Sequence, residues 1–333
     1  MRYQMIVKDD VGLYCAAGNF YVDPLKPCEN ALITHAHADH ARPGMTNYIC
    51  THATKDIMKL RIGHELNISS VDYEQEITLG NATVSFHSAG HILGSAQIKI
   101  KVNDDITVVT GDYKIHKDDT CDAFQHIECN TFISEATFAN PKYVWTDFTN
   151  EIGSIYNWYV KNKNNGLNSV LCAYSLGKSQ RIINALNTQY SVDIYAHDNI
   201  RNINKIYQDY GISYLQTKRI NENKSMTNGL IVIPPGARKA NFLKNIGPYK
   251  TGFCSGWAIN KLDEYDEGFK ISDHADWNEL ISAITKSKAK EVILIHGTGN
   301  VLKKYLNTKG IQISDFTRSN IKESTMQLSM FNE

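Results

Sequence analysis

Thr34-His35-Ala36-His37-Ala38-Asp39-His40 puts three histidines and one aspartate within six residues. The apolar run Ala31-Leu32-Ile33 precedes it, as when a loop leaves a buried strand, and Arg42-Pro43-Gly44 then breaks any continuing order. Neutral imidazoles together with a carboxylate suit zinc and other divalent first-row metals. In an extended segment residues 35, 37 and 39 project to one side. His40 turns the other way, so one short loop can serve two neighbouring metals. The order H-x-H-x-D-H is far more restrictive than a count of histidines, which argues against a chance polar loop.

Around this loop the chain has 333 residues, room for one large domain or two ordinary ones. At 42% hydrophobic and 21% charged it has the composition of a soluble globular protein. Lys+Arg and Asp+Glu each number 35, so the chain carries no overall basic excess for nucleic acid. A nucleic-acid partner then needs a local basic groove, or metals that supply the positive charge. The seven cysteines are scattered and form no C-x-x-C pair, which points to reduced thiols and a cytoplasmic setting. Neither a signal peptide nor a membrane span is expected, because no long apolar run occurs.

Residues 3–22, broken by Gly12 and Gly18, suit a β-hairpin start. Residues 51–66 read as a helix with Ala53, Ile57 and Leu60 on one face. Gly80-Asn81 marks a hairpin between 76–79 and 82–86. Strands are expected over 96–102, 106–110 and 131–134, the last two bringing Asp112 and Glu135 to their carboxyl ends. From about Tyr143 strand and helix alternate, with strands at 169–174, 192–196 and 230–233. This alternation predicts a small parallel α/β module over 143–255, inserted between two parts of a larger domain, 1–142 and 256–333. Asp276 and Glu279 form a capping-box pattern before a helix. Residues 291–295 read as a buried strand ending at His296.

Taken in order, these strand-end residues resemble the metallo-β-lactamase fold, and within it the β-CASP nucleases. His35, His37, Asp39 and His40 match the signature motif. His91 in Ala89-Gly90-His91 and Asp112 in Thr110-Gly111-Asp112 match the next two ligand motifs. Ser134-Glu135-Ala136-Thr137-Phe138, Ser272-Asp273-His274-Ala275-Asp276 and Leu294-Ile295-His296-Gly297 resemble the three β-CASP motifs. Ser175-Leu176-Gly177-Lys178-Ser179-Gln180 resembles the strand-to-helix loop of the inserted domain in RNA-processing members. The resemblance implies an α/β fold, a metallo-β-lactamase αββα sandwich carrying an inserted β-CASP α/β domain. Histidine at 296 is the RNA-processing type. The compact size and Ser255-Gly256-Trp257 are more similar to bacterial exonucleases associated with an ATP-dependent DNA ligase, which resemble the mRNA 3′-end-processing factors in motif.

The resemblance also implies two divalent metal ions, zinc first, with manganese able to support the same geometry. His35, His37 and His91 would hold one; Asp39, His40 and His296 would hold the other; Asp112 would bridge them. Two such cations lower the pKa of a shared water towards neutrality and clamp phosphate oxygens. His274 is the candidate general acid for the leaving oxygen, with Glu135 orienting it. Asp23, before Pro24, matches an aspartate that supports the metal loop from behind. Lys178, at a helix opening, and Arg238, after Pro-Pro-Gly, are candidates for backbone phosphates.

The expected function is therefore a metal-dependent phosphodiesterase acting on single-stranded nucleic acid. A DNA exonuclease in DNA repair, working beside a ligase and a helicase, is the leading expectation. An RNA-processing endo- or exoribonuclease of the same chemistry is the alternative. A non-catalytic subunit is disfavoured because every expected ligand is present. A small-molecule hydrolase is disfavoured because the inserted module and the Glu135/His274 pair would have no use.

Overall fold

A computed structural model of the protein describes residues 4–221, 225–259, 264–297 and 299–316. Thr298 of the expected His296 loop and the end of the expected 256–333 segment, from 317 on, lie outside the described residues. Among the described residues the chain forms an α/β fold of three sheets. The first sheet runs in chain order: β1 (Ile6–Lys8), β2 (Leu13–Cys15), β3 (Phe20–Val22), β4 (Asn30–Leu32), β5 (Asn47–Thr51) and β6 (Ile68–Val71). Helix α1 (His52–Arg61) starts directly after β5, where the Thr51 side chain accepts from the Thr54 amide. It stops at Arg61, earlier than the expected 66, because Gly63 adopts a backbone conformation open mainly to glycine.

The second sheet takes β7 (Ile77–Leu79), β8 (Ala82–Ser88), β9 (Ala96–Val102), β10 (Asp105–Val109) and β11 (Thr131–Glu135). It is completed by two late strands, β18 (Glu291–Ile295) and β19 (Gln312–Ser314). Here β10, β11, β18 and β19 are mutually parallel. Register puts Val109, Ile133 and Ile293 in one row and Val108, Phe132 and Val292 in the next. Because the side-chain period of a strand is two, the two rows face opposite ways. The first row packs on Phe20, Val22 and Leu32 of the first sheet. The second packs on Leu280 and Ile284 of α5 (Trp277–Lys286) and on Leu302 and Leu306 of α6 (Asn300–Thr308). Two face-to-face sheets with helices outside are the result. Truncating the wholly buried Ile133 to alanine would cost about 2–5 kcal/mol.

The third sheet is parallel throughout, in the order β14 (Lys218–Arg219), β13 (Ile194–Ala196), β15 (Leu230–Ile233), β12 (Asn168–Cys172), β16 (Tyr249–Cys254) and β17 (Glu267–Phe269). Its last strand lies beyond residue 255. Helices α2 (Phe148–Asn164), α3 (Lys178–Tyr190) and α4 (Asp198–Asp209) cover one face, and their apolar residues join those of α1 in one continuous core. Short 3-10 turns at Pro235–Lys239 and Asn241–Lys244 lie over the other. All seven cysteines are unpaired. Among the described residues no helix is long and apolar enough to cross a membrane.

Candidate metal centre

Four strand ends deliver most of the histidine and carboxylate groups. β4 leads into Thr34–His40; β10 leads into Asp112; β11 ends on Glu135; β18 leads into His296. Gly111, at φ +57°, makes the turn before Asp112, and a Cβ there would lie 2.6 Å from Thr34 Oγ1. Only glycine lets the two loops approach this closely. His296 itself is held at φ +53°, a conformation that costs a non-glycine residue about 1–3 kcal/mol.

The side chains converge. His37 Nδ1 lies 3.1 Å from His35 Nε2 and 3.0 Å from His91 Nε2. Asp112 Oδ2 is 3.6 Å from His35 Nε2, 3.9 Å from His91 Nε2 and 3.4 Å from His40 Nε2. The ring of His296 stands 5.0 Å from that of His40. Asp112 thus belongs to three clusters at once: with His35, His37 and His91; with His40 and His296; and with Glu135 and His274. Asp39 sits at the rim, its side chain 68% exposed and its Oδ2 3.8 Å from His40 Nε2. It is the one expected ligand outside these clusters.

Whether the residues fit metals follows from their outer hydrogen bonds. His91 Nδ1 donates to the Asp273 carbonyl at 2.7 Å, and His37 Nε2 to the Leu176 carbonyl at 3.2 Å. The Thr34 hydroxyl spends its proton on Asp23 Oδ2, 2.6 Å away, and so accepts from His35 Nδ1 at 3.0 Å. Each imidazole therefore turns a bare lone pair inward, and three such lone pairs meet with no proton between them. A cation is the group that removes this repulsion. Burial pushes His35, His37 and His91 below the usual histidine range, which keeps them neutral as ligation requires. On the other side His40 Nδ1 donates to Asp23 at 2.7 Å, while its buried Nε2 has no aligned hydrogen-bond partner. Burial disfavours a charged His40, but Asp112 and Asp23 outweigh it and push its pKa well up. A proton is then held at the position where a second cation would bind.

Asp23 is the hinge of this arrangement. At φ +44° it accepts from the Thr34 amide, the Thr34 hydroxyl and His40 Nδ1. Glu135 is fully buried, accepts from the Tyr113 amide at 2.7 Å, and holds His274 Nδ1 at 3.0 Å. Burial would lower the His274 pKa; Glu135 and then Asp112 raise it to about 9.

His37, Asp39, Asp112, His274 and His296 line a cleft of about 880 Å³ shared with the third sheet's loops, including Tyr174, Lys178, Asn199 and Trp257. Lys178 is nearly buried, with Nζ 3.5 Å from Asp273 Oδ2, so a phosphate would have to share it with that partner. Arg238 does not reach the cleft lining. Its guanidinium is taken by Glu264 at 2.6 Å and lies over Tyr265, away from the groove expected of it. Sequence patterns also miss a buried link between the loop after β10 and α3. Asp118 lies 2.7 Å from Lys114 Nζ and 3.1 Å from Arg181 Nε, and Arg181 donates to the Ser272 carbonyl. Nothing in the spacing of these residues distinguishes them from surface charges.

No family profile matches the chain. It is 25% identical over 312 residues to a protein named as a probable DNA ligase from Opitutus terrae, covering 92% of this chain and 30% of that protein. It is 30% identical over 200 residues to the transcription termination factor FttA of Methanosarcina mazei, covering 49% of this chain and 31% of that one. With an RNase J-like protein of Methanocaldococcus jannaschii it shares 23% identity, over 82% of each chain. The chain thus spans under a third of the length of the first two relatives. A crystal structure of a protein of unknown function from Enterococcus faecalis superposes with a TM-score of 0.57 at 13% identity, covering 87% of this chain and 79% of that one, and so shares the fold.

Proposed function

We propose that the chain is a metal-dependent phosphodiesterase that cleaves single-stranded nucleic acid, with DNA preferred. The observation that carries this reading is the meeting of three bare imidazole lone pairs on Asp112, with a His–Glu pair on the same carboxylate. His35, His37 and His91 would hold one divalent ion, and His40, His296 and the rim carboxylate of Asp39 the other, with Asp112 shared. The donor set suits zinc, and manganese accepts the same donors. Bound there, two cations supply an acidified water and charge neutralisation for a phosphate.

The chain's own residues do the rest. Asp23 and Thr34 fix the histidine loop. Glu135 takes Nδ1 of His274, which leaves Nε2 to pass a proton to the leaving oxygen. Negative charge on the buried Glu135 holds that proton on His274 until it is needed.

A DNA exonuclease acting in repair beside an ATP-dependent ligase accords with the similarity to a protein named as a DNA ligase. An RNA-processing role is the second reading, favoured by His296 and by the relative named RNase J-like. Matched DNA and RNA oligonucleotides, labelled at either end and incubated with the zinc- or manganese-loaded protein, separate the two. Stepwise loss from one DNA end, faster than from RNA, is expected. Faster RNA cleavage would transfer the protein to the second reading, and no cleavage of either would end both.

A further inference from the structure

The cleft extends past the histidine cluster to two aromatic side chains that no step above uses. Tyr174 is 52% exposed and Trp257 is 46% exposed, and both line the cleft together with His37 and His274. Topology sends both to the same end of the third sheet. β12 and β16 pair in parallel, Tyr174 follows β12, and Trp257 follows β16, so both lie beyond the carboxyl ends of these strands. Single exposed aromatics are ordinary on a protein surface. Two in one cleft, beside a candidate reaction centre, call for a ligand with flat apolar faces.

Trp257 is also firmly backed. Its ring centroid lies 4.8 Å from that of Phe138 and 5.5 Å from that of Tyr143. Phe138 in turn stands 5.9 Å from His274. Gly256 permits this packing, since a Cβ there would lie 2.6 Å from Phe138 and 2.9 Å from Trp145. The indole is therefore held in the cleft wall rather than free to fold away. On the neighbouring loop the Lys178 ammonium lies 4.7 Å from the Tyr174 ring centroid, which orients that ring too.

Beyond the charge that bound metals would bring, the cleft's own side chains offer no basic excess. The chain has as many acids as bases, and the cleft carries Asp39, Asp112 and Asp273 against Arg61 and an already paired Lys178. Away from the phosphate that the metals would meet, a strand needs another source of binding, and stacking on aromatic faces supplies one that tolerates any base and either sugar.

We propose that Trp257 and Tyr174 are base-stacking residues that take unpaired bases next to the scissile phosphate. A strand must be unstacked to use them, which makes single-stranded nucleic acid the substrate class. The inference rests on the nuclease reading above.

The test measures KM and kcat of the metal-loaded protein on single-stranded oligonucleotides that carry one abasic nucleotide at successive positions from the cleaved end. One or two positions are expected to raise the wild-type KM about tenfold. Trp257→Ala is expected to raise KM on the intact strand to a similar extent and to erase the penalty at one abasic position. Trp257→Phe should restore both. Tyr174→Ala, at a more exposed ring, should do the same at a neighbouring position. Wild-type KM in both alanine variants, or an abasic penalty that survives in them, overturns the proposal while the nuclease reading stands. If the wild-type protein cleaves no strand, the nuclease reading fails and the stacking role falls with it.

Discussion

His274 Nδ1 lies 3.0 Å from Glu135 Oε2, and that carboxylate is fully buried and fixed by the Tyr113 amide. The pair touches Asp112 only at its edge, with His274 Nδ1 3.8 Å from Asp112 Oδ2. Proton transfer and metal binding are thus separable by mutation. His274→Ala should lower turnover about 10²–10⁴-fold and leave metal content unchanged. Glu135→Gln, which keeps the packing and removes the charge, should act in the same direction and less strongly. Metal analysis beside single-turnover cleavage checks this. Loss of metal in His274→Ala would make His274 a ligand instead.

Asp23 touches no position open to a phosphate, yet it binds both Thr34 and His40. Asp23→Asn keeps the shape and removes the charge that holds His40. Metal affinity should fall about 10–100-fold, with activity recovered at high added metal. Titration of the metal-free protein with zinc reads this directly. Wild-type affinity in the variant would make Asp23 a turn residue and no more.

The third prediction concerns stability. Burial by itself would raise the Asp118 carboxyl, but Lys114 and Arg181 hold it well below the usual carboxylate range. A depressed folded-state pKa means stability that is present above the unfolded value, about 3.9, and is lost as pH falls through the folded one. Asp118→Asn strands two buried cations and should cost about 3–5 kcal/mol at pH 7. Its deficit against wild type should shrink as pH drops below about 4. Urea unfolding of the two metal-free proteins at several pH values checks both the size and the sign. Equal stability at pH 7 would show the network to be dispensable.

The histidine loop, Asp112, Glu135 and His296 are legible in the chain because each follows a run of β-forming apolar residues. Strand ends are where a two-residue period hands over to a loop, so the position of the ligand type is printed beside it. Other parts are not printed. Tyr249–Cys254 reads Tyr-Lys-Thr-Gly-Phe-Cys, with a glycine in a strand interior, and becomes β16 because β12 and β17 pair with it on either side. Residues 300–308 carry Leu302 and Leu306 at helical spacing but lack a side-chain cap, and the helix they form gains its place by packing on β18. The Lys114–Asp118–Arg181 link and the Tyr174–Trp257 pair depend on which loops the third sheet sets beside the second. That information is tertiary, and no local pattern carries it.

The central claim is tested most directly at Asp112, the one side chain common to all three clusters. Metal content and cleavage of an end-labelled single strand would be measured together for wild type and Asp112→Ala. Two bound divalent ions and progressive cleavage are expected in the wild type, and loss of both in the variant. Cleavage at the wild-type rate by a metal-depleted Asp112→Ala protein would contradict the claim.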